Sequence, residues 1–191
     1  MIGWIKNINK KYPEFWKKYL STFEEKSNRY VSIALETTGL DSEKDSILSI
    51  AAISIVNNNI SIGNNFEINI SQSDNSEQSS SIPTAKKEEI EALELFLNYI
   101  ENAILIGHRI YFDVEIINNA LDKIDCGRLK NEAFDIEIMH KKLHDLNDDK
   151  SFSLDELVSF YKIPKAKVST PDEAFSIALL FLKLKSKLGI V

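Results

Sequence analysis

From Tyr30 to Glu36 the chain alternates, with Val31, Ile33 and Leu35 on one face and Ser32, Ala34 and Glu36 on the other. A period of two marks a strand with one apolar face. The apolar run Ile47 to Val56 and the β-branched stretch Ile60 to Ile70 follow, joined by Asn57-Asn58-Asn59, which is turn chemistry. These segments predict a three-stranded antiparallel meander. Upstream, Trp4, Ile5, Ile8, Tyr12, Phe15, Trp16, Tyr19 and Phe23 recur at spacings of three and four. That spacing predicts a helical arm over residues 1–28 that lays an aromatic stripe on the main body.

Beyond the meander the period lengthens. Residues 71–83, SQSDNSEQSSSIP, read as a solvated loop closed by a proline. Thr84 is placed to cap a helix through Ile90, Leu93, Phe96, Leu97 and Ile100, and Ala103 to Gly107 forms a short apolar strand. Asp113 opens the next helix. A further strand is expected at 133–136, with helices over 136–145, 153–161 and 172–188. Three strands followed by strands alternating with helices imply an α/β fold: a mixed sheet of three antiparallel strands plus parallel ones, flanked by helices.

At 191 residues the chain suits one sizeable domain, read as an arm at 1–28 and a domain at 29–191. A formal net charge of -6 argues against a protein that grips phosphates over a wide surface, so any nucleic-acid contact is local. The single cysteine, Cys126, leaves no internal disulfide and no cysteine zinc cluster. No apolar run approaches the ~20 residues that span a bilayer, and the first residues lack a signal-peptide core. A soluble, cytoplasmic protein without membrane contact is expected.

Carboxylates two apart on a strand project from one face, and metal-assisted phosphodiester hydrolysis uses such groups to hold two divalent cations ~4 Å apart. The segment ALETTGLDSEKDSILSIAAI, residues 34–53, resembles the first motif of DnaQ-like 3'-5' exonucleases, D-x-E-T-T-G-L followed by an apolar strand. Ala34 stands where that motif has aspartate. The segment ILIGHRIYFDVEIINNAL, 104–121, resembles the second motif, with Asp113 at the metal-binding aspartate and Arg109 where many members carry asparagine. Residues 151–182 resemble the third, whose close reads H-x-x-x-x-D-A. Matching Ala174 to that alanine puts Glu173 on the last metal ligand and Val168 on the histidine that serves as general base.

The resemblance covers residues 30–185 and implies a ribonuclease H-like fold using Mg²⁺ or Mn²⁺. Glu36, Asp113 and Glu173 would be the remaining ligands, with Asp172 able to substitute after a small shift. Thr37, Thr38, Gly39 and Leu40 would cradle the terminal nucleotide through backbone N–H groups, Leu40 wedging a base. With Ala34 and Val168 in place of a bridging ligand and the base, the expectation is a site empty or holding one cation. The protein would then bind a single-stranded 3' end or a nucleotide with weak or absent exonuclease activity. A functioning Mg²⁺- or Mn²⁺-dependent exonuclease with an altered site is the competing reading, and the aromatic arm could dock a protein partner.

The same residues admit plainer roles. Glu36 could be a surface carboxylate beside a turn, and Asp113 the N-cap of its helix. Gly39 could supply a positive φ, while Asp172 and Glu173 suit a helix dipole. His108 reads as a packed turn residue, and His140 and His144 as a solvated helix face.

Overall fold

The computed structural model of the protein describes residues 12–70, 84–164 and 169–190. Trp4, Ile5, Ile8, the loop 71–83 and Val168 lie outside the described residues. A five-stranded sheet is built from β1 (Tyr30–Thr37), β2 (Ile47–Val56), β3 (Asn59–Asn69), β4 (Ile104–Gly107) and β5 (Ala133–Asp135), in the order β3-β2-β1-β4-β5. β2 pairs antiparallel with both β1 and β3, whereas β4 runs parallel to both β1 and β5. The meander predicted from periodicity is present. Its turn places Asn57 and Asn58 at φ 51 and 61°, and two successive positive φ values give the hairpin twist that asparagine accommodates readily.

Among the described residues there are six α-helices: α1 (Glu14–Ser21), α2 (Thr84–Ile100), α3 (Ile110–Asp122), α4 (Ile136–His144), α5 (Leu154–Phe160) and α6 (Thr170–Leu188). Alternation along β1 sorts them into two layers. Val31 and Ile33 enter one core with Trp16 of α1, Phe96 of α2 and Ile117 of α3. Ala34 enters the other, with Ala51, Ile136 of α4, Leu157 of α5 and Ala174 of α6. The central strand is thus buried on both faces. No helix of the described residues is long and apolar enough to cross a membrane, and Cys126 is a free, buried thiol.

Helix α3 starts three residues earlier than expected. Its N-cap is Arg109, held in the left-handed region at φ 56° and ψ 41°, so Asp113 lies inside the first turn and does not cap. The described part of the arm packs inward: Trp16 is 1% exposed and Tyr19 2%. Gly127 leaves room for the Trp16 ring, since a Cβ there would meet it at 3.1 Å. The Tyr19 hydroxyl donates to Asn131 Oδ1 at 2.6 Å and accepts from the Lys130 N–H at 2.8 Å. Burial pushes the Tyr19 phenol up to about 12, which keeps the donating proton in place.

Truncating so buried an aromatic should leave a cavity that the strands beneath cannot fill. Trp16→Ala is expected to lower the unfolding free energy by about 3–5 kcal/mol, measured by urea titration. A loss under ~1 kcal/mol would mean that the arm is an appendage on a core complete without it.

Candidate active site

β1 delivers Ala34 and Glu36 to the face that carries α6. Ala34 opposes Ala51 and Glu36 opposes Ser49 in the antiparallel ladder, and directly opposed residues share a face. Ser49 Oγ lies 2.7 Å from Thr170 Oγ1 in the first turn of α6, which fixes that helix start beside the end of β1. A bulge follows: Glu36 pairs with Ser49 and Thr37 with Ile47, leaving Leu48 as the extra residue. Bulges bend a strand and re-aim its side chains, often next to a site. Glu36 is exposed at that bend, whereas Ala34 is sealed at 2%.

The two helices add carboxylates from opposite sides. Asp113 sits on the first turn of α3, and burial pushes its carboxyl well above the ordinary 3.8, with the Glu173 and Asp135 carboxylates adding to the rise. Glu173, on the first turn of α6, is also pushed up by burial; the His108 ring draws it down and Asp155 pushes it further up. The Asp113 and Glu173 carboxylates are therefore coupled through charge, as is His108 with Glu173. Asp172 is engaged elsewhere, accepting from Ser169 Oγ at 2.7 Å while its own N–H donates to that oxygen at 3.3 Å. Among the described residues, no three histidine, cysteine or acidic side chains gather closely enough to hold a metal ion.

The loop after β1 is tied internally. Thr38 Oγ1 donates to Asp45 Oδ1 at 2.7 Å, and Asp45 Oδ2 accepts from the Asp41 N–H at 2.8 Å. Thr37 Oγ1 donates to the Gly39 carbonyl at 2.6 Å, and Asn119 of α3 donates to the Ser42 carbonyl at 2.9 Å. Gly39 does not adopt a positive φ, contrary to the sequence expectation. It is needed for space, because a Cβ there would meet Asp45 Oδ2 at 2.5 Å. This fixed loop holds Leu40 90% exposed.

Sequence reasoning passed over Asp135 and Glu137. Asp135 is buried at the end of β5, where it accepts from the Ile110, Glu137 and Ile138 N–H groups at 3.0, 2.8 and 3.3 Å, so one carboxylate anchors the starts of α3 and α4. An aspartate between an apolar strand and a helix is an N-cap signal that could have found it. Glu137 is buried too, and accepts from the Phe152 N–H and Lys141 at 3.0 Å each and from Arg109 at 3.4 Å. Burial works upward on its carboxyl, but these donors outweigh it and hold Glu137 below the ordinary range. Arg109 also reaches Ser151 Oγ at 2.6 Å, and His108 Nε2 lies 2.8 Å from the Phe152 carbonyl oxygen. His108 is indeed a packed turn residue. His140 departs from the solvated face expected of it: it is buried, with Nδ1 2.8 Å from the Tyr161 hydroxyl and its ring edge-on to Phe152 and Phe160.

A mixed five-stranded sheet of this order, flanked by helices, is the ribonuclease H-like architecture. The family model described as an exonuclease of the RNase T type matches residues 31–167. The chain belongs to this DnaQ-like exonuclease family. Over 143 residues it is 24% identical to a DNA polymerase III PolC-type of Lacticaseibacillus paracasei and 29% identical to one of Latilactobacillus sakei; each alignment covers 72% of this chain. The chain spans about a tenth of the length of these curated relatives (10%). Among solved structures, the zinc-bound complex of E. coli exonuclease I with single-stranded DNA superposes with a TM-score of 0.68 at 15% identity, covering 84% of this chain and 41% of that one.

The Asp113 carboxyl tests the electrostatics directly. A group whose folded pKa is raised binds its proton more tightly in the native state, so its ionisation costs stability as pH rises past the ordinary 3.8 and continues to do so up to the folded value. Asp113→Asn removes that cost. The variant should match the parent near pH 3.5 and exceed it at pH 7, with a midpoint ~2–4 °C higher for each kcal/mol relieved. Thermal melts across this range would refute the assignment if the variant were less stable at pH 7.

Proposed function

We propose that this chain is a 3'-5' exonuclease-fold protein that binds a single-stranded nucleic-acid 3' end or a nucleotide, with weak or absent exonuclease activity. The observation that carries this reading is Ala34. The strand position where the motif has aspartate holds a methyl group sealed between Ala51 and the start of α6, so no carboxylate stands between Glu36 and the Asp113–Glu173 pair. The fixed loop supports the binding half of the proposal, since it holds Leu40 bare as a wedge; the Thr38 N–H donates to the Ser46 carbonyl at 3.0 Å, so a backbone cradle would draw on Thr37 and Gly39 without it. Residues 1–28 form an arm on a domain of residues 29–191, and a protein partner at the arm would use the face turned away from Trp16 and Tyr19.

The donor set does not fit the two-cation centre of the family. Without a carboxylate at Ala34 nothing bridges two ions. A single Mg²⁺ or Mn²⁺ suits Asp113 and Glu173 better, because their shared repulsion is what a cation would neutralise. Glu36 would be the third donor, and Asp172 would have to release Ser169 to take part. The competing reading, a functioning Mg²⁺- or Mn²⁺-dependent exonuclease, draws its support from His108 beside Glu173. No other histidine acts on Glu173 among the described residues, and the motif match puts Val168 where the family has its base.

A 3'-labelled single strand incubated in Mg²⁺ and in Mn²⁺ decides between the readings. Parent protein releasing mononucleotides on the order of 1 s⁻¹ or faster, within the ordinary enzyme range, would overturn the proposal. The triple change Ala34→Asp, Val168→His, Glu173→Asp should raise activity steeply, since a general base alone contributes ~10²–10⁴-fold. Ala34→Asp by itself should achieve little, because groups that act as a unit are strongly non-additive. A folded but inert triple variant would show that more than these positions has been lost, with Arg109 the first suspect.

A further inference from the structure

Away from the carboxylates, a groove of about 780 Å³ runs between the turn that ends α5 and the C-terminal half of α6. Ile163, Leu179 and Leu182 form its apolar floor, and Lys162, Lys183 and Lys187 stand around it. No acidic side chain lines it. None of the three lysines forms an ion pair among the described residues. Lys183 Nζ donates to the Tyr161 carbonyl at 2.7 Å, and Lys162 is exposed on a left-handed backbone at φ 52°. In a chain of net charge -6, three unpaired cations around one apolar trough are a local reversal of the protein's own sign. From Glu173 to Lys183 is ten residues of helix, or about 15 Å, so the groove lies apart from the carboxylate pair.

We propose that this groove docks an acidic, amphipathic peptide segment of a partner protein. Its apolar side chains would sit on Ile163, Leu179 and Leu182, and its carboxylates would meet the three lysines. Charge complementarity sets the partner's sign, and an aliphatic floor selects aliphatic or aromatic side chains rather than stacked bases. Single-stranded nucleic acid is held by successive aromatic platforms and by arginine. Here the aromatic rings of the lining, Phe160, Tyr161 and His144, are stacked edge-on against one another, Phe160 at 5.0 Å from Tyr161 and 5.2 Å from His144, and do not form a row of open platforms. Lysines act as point charges suited to carboxylates on a flexible segment. The surface is independent of the arm and of whether the carboxylate site turns over.

The test selects from a phage library of random ten-residue peptides on the whole chain, then measures the recovered peptides and a twenty-residue oligothymidylate by fluorescence polarisation. Net-negative peptides carrying Leu, Ile or Phe are expected. Their affinity should fall at least tenfold with Lys162→Glu, Lys183→Glu and Lys187→Glu together, fall again at high salt, and stay unchanged with Asp113→Asn. Leu182→Glu should weaken the same peptides, and thermal midpoints within a few degrees of the parent would show that the variants are folded. If the triple reversal misfolds, the three Lys→Ala changes read the same loss. Recovered peptides without acidic bias, or acidic peptides indifferent to the lysines, would overturn the proposal. So would oligothymidylate binding that the lysine changes abolish while peptide binding survives.

Discussion

A strand buried on both faces imposes the rest of this molecule. β1 is hydrogen-bonded antiparallel along one edge and, over Tyr30–Ser32, parallel along the other, and helices cover its two sides. Every second side chain therefore belongs to a different core, and a one-residue slip would exchange Ile33 for Ala34 and move both helical layers. The strand leaves this confinement only at its C-terminal end. There the bulge at Glu36 coincides with the starts of α3 and α6, and polar chemistry becomes affordable in an otherwise apolar interior.

Much of this was legible from spacing. β2 begins and ends where the apolar run does, the asparagine pair makes the turn expected of it, and the alternation Val31, Ile33 against Ser32, Ala34 assigns the two faces correctly. These are local properties, in which the side-chain period reports the backbone directly. The order of the helices after the meander came from the same periodicity, and the resemblance in three motifs singled out Asp113 and Glu173, whose charges the fold couples.

What escaped depends on contacts between distant residues. Gly39 is small because the Asp45 carboxylate lies against it, six residues on, and no turn rule contains that neighbour. His140 is buried by Phe152, Phe160 and Tyr161, which arrive from the end of α5 and the segments flanking it. Arginine is an improbable left-handed cap by intrinsic preference; Arg109 holds the conformation with its side chain tied to Glu137 and Ser151. Asp135 and Glu137 share this origin. Each carboxylate gathers donors from separate elements, and a buried charge is tolerable only when such donors surround it.

The Tyr19 hydroxyl joins residues 111 and 112 positions further along the chain. Contacts of that span close the largest loops and form late in folding. During synthesis the arm emerges well before its seat, since Lys130 and Asn131 are made only after more than a hundred further residues have appeared. Its aromatic side chains wait, exposed, over that stretch of synthesis, and the interval before docking is when this part of the chain is most open to chaperones, to proteases and to pairing with another copy of itself.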